Sequence, residues 1–282
     1  MKLTGAAKVA GVVGWPVAHS LSPLIHNAWL AALGLAAAYV PFAVPPERFA
    51  AFVEGLRGGP LVGLNVTLPH KRAAFALADR RTERAEGAQA ANLLLFQDDG
   101  TALADNADGE GLLSALAEAG ALAPGSPAVV LGAGGAAAGA AAALLDAGAP
   151  EVRVVARRAA AAAALVQGEP QGRAYGFDRL AQALDGASLI VNATSAGLNG
   201  EGELPPLEGA QAGATALDMV YRPLRTAFLA DAEKRGLRTV DGLAMLIGQA
   251  RPSFEAFFGV APPPPEAVDV RALCLRALGE QP

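Results

Sequence analysis

Short apolar runs alternate with helix-like segments along the first hundred residues. Runs at 10–14, 38–42 and 61–67 predict buried strands, and a proline stands near the start of the helical segment that follows each one. Ser22 and Pro23 are typical of an N-cap and a first helical position. Further along, an apolar run at 92–96, an Asp-Asp-Gly turn and a second short run predict a β-hairpin.

The same alternation continues in the second half with a more regular spacing. Apolar runs near 128–131, 151–155, 188–192 and 215–219 are separated by alanine-rich helical segments. This pattern predicts a doubly wound, mainly parallel α/β sheet. A chain of 282 residues is long enough for two domains, and we expect two. One comprises residues 1–107 and 242–282, and the other, of Rossmann type, comprises 108–241.

A glycine-rich turn joins the first strand of that sheet to a helix. Gly132, Ala133, Gly134, Gly135 and Ala136 form it, an arrangement that lets backbone amides face a pyrophosphate. The alternative, an ordinary strand–turn–helix junction, stays open here.

The next strand ends in Ala156, Arg157 and Arg158. An NAD site usually has an acidic residue there for the ribose, whereas arginine accommodates a 2′-phosphate. The arginines thus favour NADP, unless they belong to a solvated basic loop. Two later strands end in Thr194–Ser195 and Met219–Val220, at the edge where α/β sheets bind ligands, and we assign these residues to the cofactor as well.

Composition and charge narrow the kinds of ligand and partner that the protein can have. The 282 residues carry a net charge of −5 without a basic run, which argues against nucleic-acid binding. The single cysteine excludes an internal disulfide, and with three histidines it shows no metal-ligand spacing. Neither a signal-peptide pattern nor a bulky apolar stretch of membrane-spanning length is present, so we expect a cytoplasmic protein without a membrane partner.

The N-terminal half has polar residues directly after its apolar runs. Ser20 and Ser22 offer hydroxyl donors to a carboxylate, although Ser22 also suits helix capping. Asn65 and Thr67 share one face of a strand. Lys71 could move a proton or be an ordinary surface lysine. Asp108 could hold that lysine or cap the next helix, and spacing alone does not decide.

Seven segments together resemble the shikimate dehydrogenase family, in its order and over residues 11–250. They are GWPVAHSLSP, GLNVTLPHK, DNADG, GAGGAAAG, NATSAGL, DMVYRP and DGLAMLIGQA. The resemblance implies reversible reduction of 3-dehydroshikimate to shikimate with NADPH, in the pathway to aromatic amino acids. It implies a small-molecule substrate and leaves open whether the protein is a monomer or a homodimer.

The resemblance also implies roles for individual residues. Lys71 and Asp108 form the catalytic pair, and Gly242 contacts the nicotinamide. Substrate contacts are expected from seven residues: Ser20, Ser22, Asn65, Thr67, Asn92, Tyr221 and Gln249.

The chain departs from the family pattern at several positions, including Leu93, Ala107, Ala138 and Ala156. Ala138 stands where the glycine loop often has arginine, which leaves Arg157 as the main phosphate clamp. Two alternatives remain: an NAD-dependent quinate/shikimate dehydrogenase with the same fold, and a non-catalytic NADP-binding sensor.

Overall fold

A computed structural model describes residues 3–121, 125–202 and 206–281. Its strands are β1 Lys8–Gly14, β2 Ala37–Ala43, β3 Leu61–Val66, β4 Arg80–Arg81, β5 Leu93–Phe96, β6 Ala102–Asp105, β7 Ala128–Leu131, β8 Val152–Ala156, β9 Gly172–Gly176, β10 Leu189–Asn192, β11 Thr215–Asp218 and β12 Arg238–Val240. Its α-helices are α1 Ser22–Ala32, α2 Pro46–Glu54, α3 Lys71–Leu77, α4 Glu83–Ala88, α5 Asp108–Glu118, α6 Gly135–Asp146, α7 Ala159–Leu165, α8 Leu180–Leu184, α9 Ala227–Lys234, α10 Gly242–Phe258 and α11 Val270–Leu278.

The chain divides into two compact units. The first contains residues 1–107 and 249–282, and the second contains 108–248. The second boundary thus lies inside helix α10, between Gly248 and Gln249, whereas the sequence placed it between Asp241 and Gly242. The first turns of α10 pack closely on the second unit, since a Cβ on Gly248 would lie 3.0 Å from the carbonyl oxygen of Gly111.

The first unit has a mixed six-stranded sheet in the order β2-β1-β3-β5-β6-β4. Strand β1 pairs in parallel with both β2 and β3, while β5 runs antiparallel to β3 and β6. The predicted hairpin is therefore confirmed as β5 and β6. Its apolar core includes Phe49, Leu64 and Leu94, all at most 1% exposed.

The second unit has a fully parallel sheet in the order β12-β11-β10-β7-β8-β9. This is the strand order of the Rossmann fold, in which the two halves diverge from the first strand. The predicted α/β class and Rossmann-type sheet are confirmed. All four residues of β7 are buried, as expected for a strand covered by helices on both faces.

Small residues allow the helices of the second unit to approach closely. A Cβ added to Gly109 in α5 would lie 2.5 Å from the Ala143 Cβ in α6, so a larger side chain does not fit there. Ala137, Ala140 and Ala141 of α6 are also buried in this core. The alanine-rich composition therefore serves close helix packing in this unit.

Several local predictions were wrong. Leu21, not Ser22, occupies the N-cap of α1, and no side chain caps this helix. Leu21 is already in a helical conformation, so Ser22 lies within the first turn with its side chain buried. The sequence also predicts that Pro69 begins a helix carrying His70 and Lys71. Helix α3 instead begins at Lys71 with His70 at its N-cap, because residues 67–70 form a separate turn closed by the His70 amide and the Thr67 carbonyl.

Short elements were missed by the sequence analysis, among them β4, α4, β9 and β12. They are two to six residues long, and β9 begins and ends with glycine. Such segments carry too few apolar positions to show a period. No helix among the described residues combines the length and apolar character needed to cross a bilayer.

Candidate active site

Several of the predicted substrate residues of the first unit lie at the ends of neighbouring strands. Parallel pairing of β1 and β3 aligns Val12 with Asn65, and the Thr67 amide donates to the Val13 carbonyl at 2.9 Å. A Cβ on Gly14 would lie 2.4 Å from the Thr67 methyl group, so the turn after β1 passes directly beside Thr67. The Ser22 amide donates to the Ser20 hydroxyl at 3.3 Å, which fixes these two serines in one turn.

Asn65, Asn92 and Gln249 are brought together in this unit, and all three are buried. The Asn65 amide nitrogen donates to the Asn92 carbonyl at 3.3 Å, and the Asn92 amide nitrogen donates to the Gln249 side-chain oxygen at 3.4 Å. The structure joins three predicted substrate residues into one network.

Two hydrogen bonds of the first unit involve Lys71 and the residue that precedes Asp108. The Ala91 amide donates to the Lys71 carbonyl at 2.9 Å. The Ala107 amide, one residue before Asp108, donates to the Asn92 side-chain oxygen at 2.8 Å. Lys71 is half-buried in the first unit, whereas Asp108 is buried and begins α5 of the second.

Tyr39 was missed by the sequence analysis. Its hydroxyl donates to the Asn65 side-chain oxygen at 2.7 Å, and its ring is buried. Burial raises the pKa of Tyr39, and a hydrogen bond from the Ser22 side chain lowers it in part. Its setting in the apolar run Ala-Tyr-Val gives no sign of this contact, since a tyrosine there is typical of a core strand.

The glycine turn of the second unit has the geometry that a pyrophosphate site needs. Gly132 has φ +118°, and a Cβ there would lie 3.0 Å from the Ala193 carbonyl oxygen. Gly134 is the N-cap of α6 and faces open space, because an added Cβ would meet nothing within 4 Å. The first amides of α6 have no acceptor within the helix, and its N-terminus favours an anion.

The other predicted cofactor residues follow strands adjacent to β7. Arg157 and Arg158 follow β8 and are exposed, while Ala156 is buried. Thr194 follows β10, and its hydroxyl donates to the Asn192 side-chain oxygen at 2.7 Å. Since β8 and β10 flank β7 in parallel, these residues share the edge of the sheet where the glycine turn lies. The donors present fit a dinucleotide with a 2′-phosphate.

A buried carboxylate supports the loops after β10 and β11. Asp218 accepts hydrogen bonds from the Thr226 hydroxyl at 2.6 Å, the Val220 amide at 2.9 Å and the Asn192 amide nitrogen at 3.0 Å. Burial raises its pKa to about 6 despite these donors. The sequence analysis quoted Asp218 only within a motif and gave it no role.

Two further predicted residues, Gly242 and Tyr221, also lie near β11. A Cβ on Gly242 would lie 2.7 Å from the Met219 carbonyl oxygen, so only glycine allows this approach. Asp241 caps α10 by accepting from the Leu243 and Ala244 amides at 3.0 and 3.1 Å. Tyr221 is half-buried just beyond the strand. Among the described residues, no group of three His, Cys, Asp or Glu side chains could hold a metal ion.

A Rossmann unit joined to a second α/β unit is the architecture of a dinucleotide-dependent oxidoreductase. Residues 12–94 match the family model described as the shikimate dehydrogenase substrate binding domain. The chain is 54% identical to the NADP(+) shikimate dehydrogenase of Caulobacter vibrioides, over 99% of this chain and 98% of that protein. It is 46% identical to the Rhodospirillum rubrum enzyme of the same name, over 96% and 99%.

A solved structure agrees with these relatives. The shikimate 5-dehydrogenase of Thermus thermophilus, in complex with NADP(H) and shikimate, superposes with a TM-score of 0.84 at 37% identity. The superposition covers 95% of this chain and all of that one. The protein belongs to the shikimate dehydrogenase family.

Proposed function

We propose that the protein is an NADP-dependent shikimate dehydrogenase that reversibly reduces 3-dehydroshikimate to shikimate. The observation that carries this function is the 54% identity, over nearly the full length of both chains, to a relative named for it. The serine pair, Lys71 and Asp108 are all present, whereas a non-catalytic sensor has no need of them. The first unit binds the substrate, and the second binds NADP.

Residues of the second unit hold the dinucleotide. The turn from Gly132 to Ala136 receives the pyrophosphate, and Arg157 and Arg158 receive the 2′-phosphate after Ala156. The nicotinamide half lies toward Thr194, Ser195, Met219, Val220 and Gly242. When bound, the nicotinamide supplies or accepts the hydride.

Residues of the first unit orient the substrate. Together with Asp108, they form hydrogen bonds with its hydroxyl groups and transfer a proton. The hydroxyl groups of Ser20 and Ser22 bind the carboxylate of the substrate. Lys71 donates a proton to the alkoxide that develops as the ketone is reduced, and removes it in the reverse direction. Asp108, the other member of the catalytic pair, accepts a hydrogen bond from a substrate hydroxyl. Further substrate contacts come from Asn65, Thr67, Asn92, Tyr221 and Gln249.

The experiment is an absorbance assay of NADPH formation by the purified protein with shikimate and NADP⁺. We expect turnover, with kcat/KM at least about tenfold higher for NADP⁺ than for NAD⁺, because only NADP⁺ has the phosphate that the arginines suit. Parallel assays with quinate and with NAD⁺ separate this function from a quinate dehydrogenase. Cofactor binding without any turnover would instead identify a sensor.

A further inference from the structure

Helix α1 holds Tyr39 at both its backbone and its ring. The Tyr39 amide donates to the Asn27 side-chain oxygen at 3.1 Å, and the Asn27 amide nitrogen donates to the Tyr39 carbonyl at 2.8 Å. The Tyr39 ring stacks on His26 with centroids 4.0 Å apart and planes 7° from parallel. Tyr39 is 1% exposed, so neither water nor another rotamer is readily accessible to it. Its hydroxyl therefore has a fixed position.

The direction of each hydrogen bond around Asn65 follows from the number of available hydrogens. The Ser253 hydroxyl donates its one hydrogen to the Gln249 carbonyl at 3.0 Å. It must then accept from Asn65, whose amide nitrogen lies 2.9 Å away. The second amide hydrogen of Asn65 goes to the Asn92 carbonyl at 3.3 Å. The reversed amide would place its oxygen against that carbonyl, so this orientation is the only satisfied one.

The Asn65 oxygen consequently faces Tyr39, and the phenol donates its single hydrogen to it at 2.7 Å. Both donors of the Asn65 amide are used, and one lone pair of its oxygen remains. Toward a ligand, Asn65 can act only as a hydrogen-bond acceptor. Such a group binds a hydroxyl of the substrate and repels a carboxylate.

We propose that Tyr39 is a positioning residue, which orients Asn65 so that its free lone pair receives a hydroxyl of the substrate. This proposal rests on the proposed function, because it takes a polyhydroxylated carboxylate as the substrate. Tyr39 acts through Asn65, to which its hydroxyl donates, while the hydroxyl oxygen of Tyr39 also accepts a hydrogen bond from the Ser22 side chain. Its hydroxyl therefore contributes to substrate affinity and not to cofactor affinity.

The test is Tyr39→Phe, which removes the hydroxyl and keeps the ring. Loss of one buried donor leaves the Asn65 oxygen without its partner, and we expect the KM for shikimate to rise about tenfold. The KM for NADP⁺ should stay within about twofold, as expected when only uniform substrate binding is lost. Tyr175→Phe is the matched control, because this tyrosine lies on β9 of the second unit and should leave both constants unchanged.

A double-mutant cycle with Asn65→Ala separates positioning from a merely structural role. If Tyr39 acts through Asn65, adding Tyr39→Phe to Asn65→Ala changes the shikimate KM by less than about twofold. An equal rise in both backgrounds would overturn the proposal, as would a lowered melting temperature with an unaltered KM.

Ser253→Ala provides an independent measurement if Tyr39→Phe does not fold. It removes the acceptor on the opposite side of the Asn65 amide while Tyr39 stays intact, and the shikimate KM should rise about threefold or more. An unchanged KM in Ser253→Ala would contradict the orienting network. A wild type that does not oxidise shikimate would overturn the proposed function itself. An active wild type whose KM Tyr39→Phe leaves unchanged would overturn only the role of Tyr39.

Discussion

A polar network is buried beside the central strands of each unit, and these two networks differ in charge. The network of the first unit joins five uncharged side chains: Tyr39, Asn65, Asn92, Gln249 and Ser253. The network of the second unit surrounds the carboxylate of Asp218 with three donors. One network is held by the direction of its hydrogen bonds, and the other by a buried charge.

This difference matches what the two units are proposed to bind. A neutral network presents a fixed acceptor to a substrate that carries hydroxyls, and none of its members titrates near neutral pH. The Asp218 network instead fixes two loops, since Asn192 continues from it to the Thr194 amide and hydroxyl at 3.1 and 2.7 Å. We therefore expect the first network to contact its ligand through a side chain. The second network supports the loops that we expect to contact the cofactor.

The largest expected effect tests whether proton transfer depends on the substrate unit. Replacing Lys71 with alanine should lower kcat by about 10²–10⁴-fold, because general acid–base assistance is lost. The shikimate KM should change far less. Steady-state kinetics with saturating NADP⁺ measures both constants.

Lys8→Ala is the control for Lys71→Ala, since Lys8 is an exposed lysine at the start of β1 in the same unit. It removes the same charge and should leave kcat unchanged. A near-wild-type kcat in Lys71→Ala would contradict the role of this lysine in proton transfer. It would also contradict the proposal that the first unit supplies this step while the second binds the cofactor.

The second prediction concerns how stability depends on pH. One buried group in each unit contributes to it, and we expect the two contributions to change in opposite directions. Burial lowers the pKa of His26 in the first unit to about 3, and neither ring nitrogen has a hydrogen-bond partner among the described residues. The unfolded chain binds a proton on this histidine below about pH 6.5, so its contribution to stability falls as the pH falls from about 6.5 toward 3. The full loss is of the order of 5 kcal/mol.

Asp218 acts in the reverse direction. Its folded pKa of about 6 lies above the usual value of 3.8, so the folded state holds the proton more tightly. Its contribution is therefore present below about pH 3.8 and is lost as the pH rises through 6, by about 3 kcal/mol.

Urea unfolding between pH 4 and 7.5 compares the wild type with His26→Leu and Asp218→Asn. Both tryptophans, Trp15 and Trp29, belong to the first unit, so their fluorescence follows that unit, while far-UV circular dichroism follows both. Relative to each variant, the wild type should lose stability on acidification at His26 and gain it at Asp218. Parallel pH profiles of the wild type and both variants would show that neither group is linked to folding.

The contrast between the networks also explains what the sequence could predict. The parallel sheet, the glycine turn and the arginines after β8 come from strand–turn–helix segments in which neighbours along the chain are neighbours in space. The network of the first unit is assembled from residues as far apart as Asn65 and Ser253. Tyr39 and Ser253 lie in runs that read as ordinary core, so local patterns could not assign them a role.

The prediction that Ser22 caps α1 was wrong for a related reason. Ser22 has the right residue type and position for an N-cap, but tertiary packing turns its side chain inward beside Tyr39. Propensity describes what a residue does without partners, and a buried partner overrides it. Tertiary contacts therefore determine the roles of both the Ser22 and the Tyr39 side chain.

The third prediction separates fold from binding within the glycine turn. Gly132→Ala forces a side chain onto φ +118° and against the Ala193 carbonyl, which should destabilise the protein by about 1–3 kcal/mol. Gly134 has φ −91° and ψ −175°, an extended conformation that alanine adopts, with open space around its Cβ. Gly134→Ala should change stability by less than about 0.5 kcal/mol.

Cofactor affinity gives the converse result for Gly134→Ala. The added methyl group would occupy the side from which the pyrophosphate approaches, so the KM for NADP⁺ should rise while the urea midpoint stays unchanged. Urea titration and steady-state kinetics of the two variants together make this comparison. An unchanged KM in Gly134→Ala would contradict the placement of the pyrophosphate at this turn.

The smallest expected effect tests how the second unit distinguishes its cofactors. Arg157 is exposed after β8, and a guanidinium in water gains less from a phosphate than a buried one does. Arg157→Ala should therefore raise the KM for NADP⁺ by only about tenfold, within the range of hydrogen bonds to charged groups. The KM for NAD⁺ should stay within about twofold, because NAD⁺ lacks the 2′-phosphate. Arg179→Ala is the control, since this exposed arginine lies over the Tyr175 ring and should affect neither cofactor. Equal losses for NADP⁺ and NAD⁺ would show that Arg157 acts on the fold or on the shared pyrophosphate. A loss confined to Arg158→Ala would move the phosphate contact by one residue and leave the contrast between the two units intact.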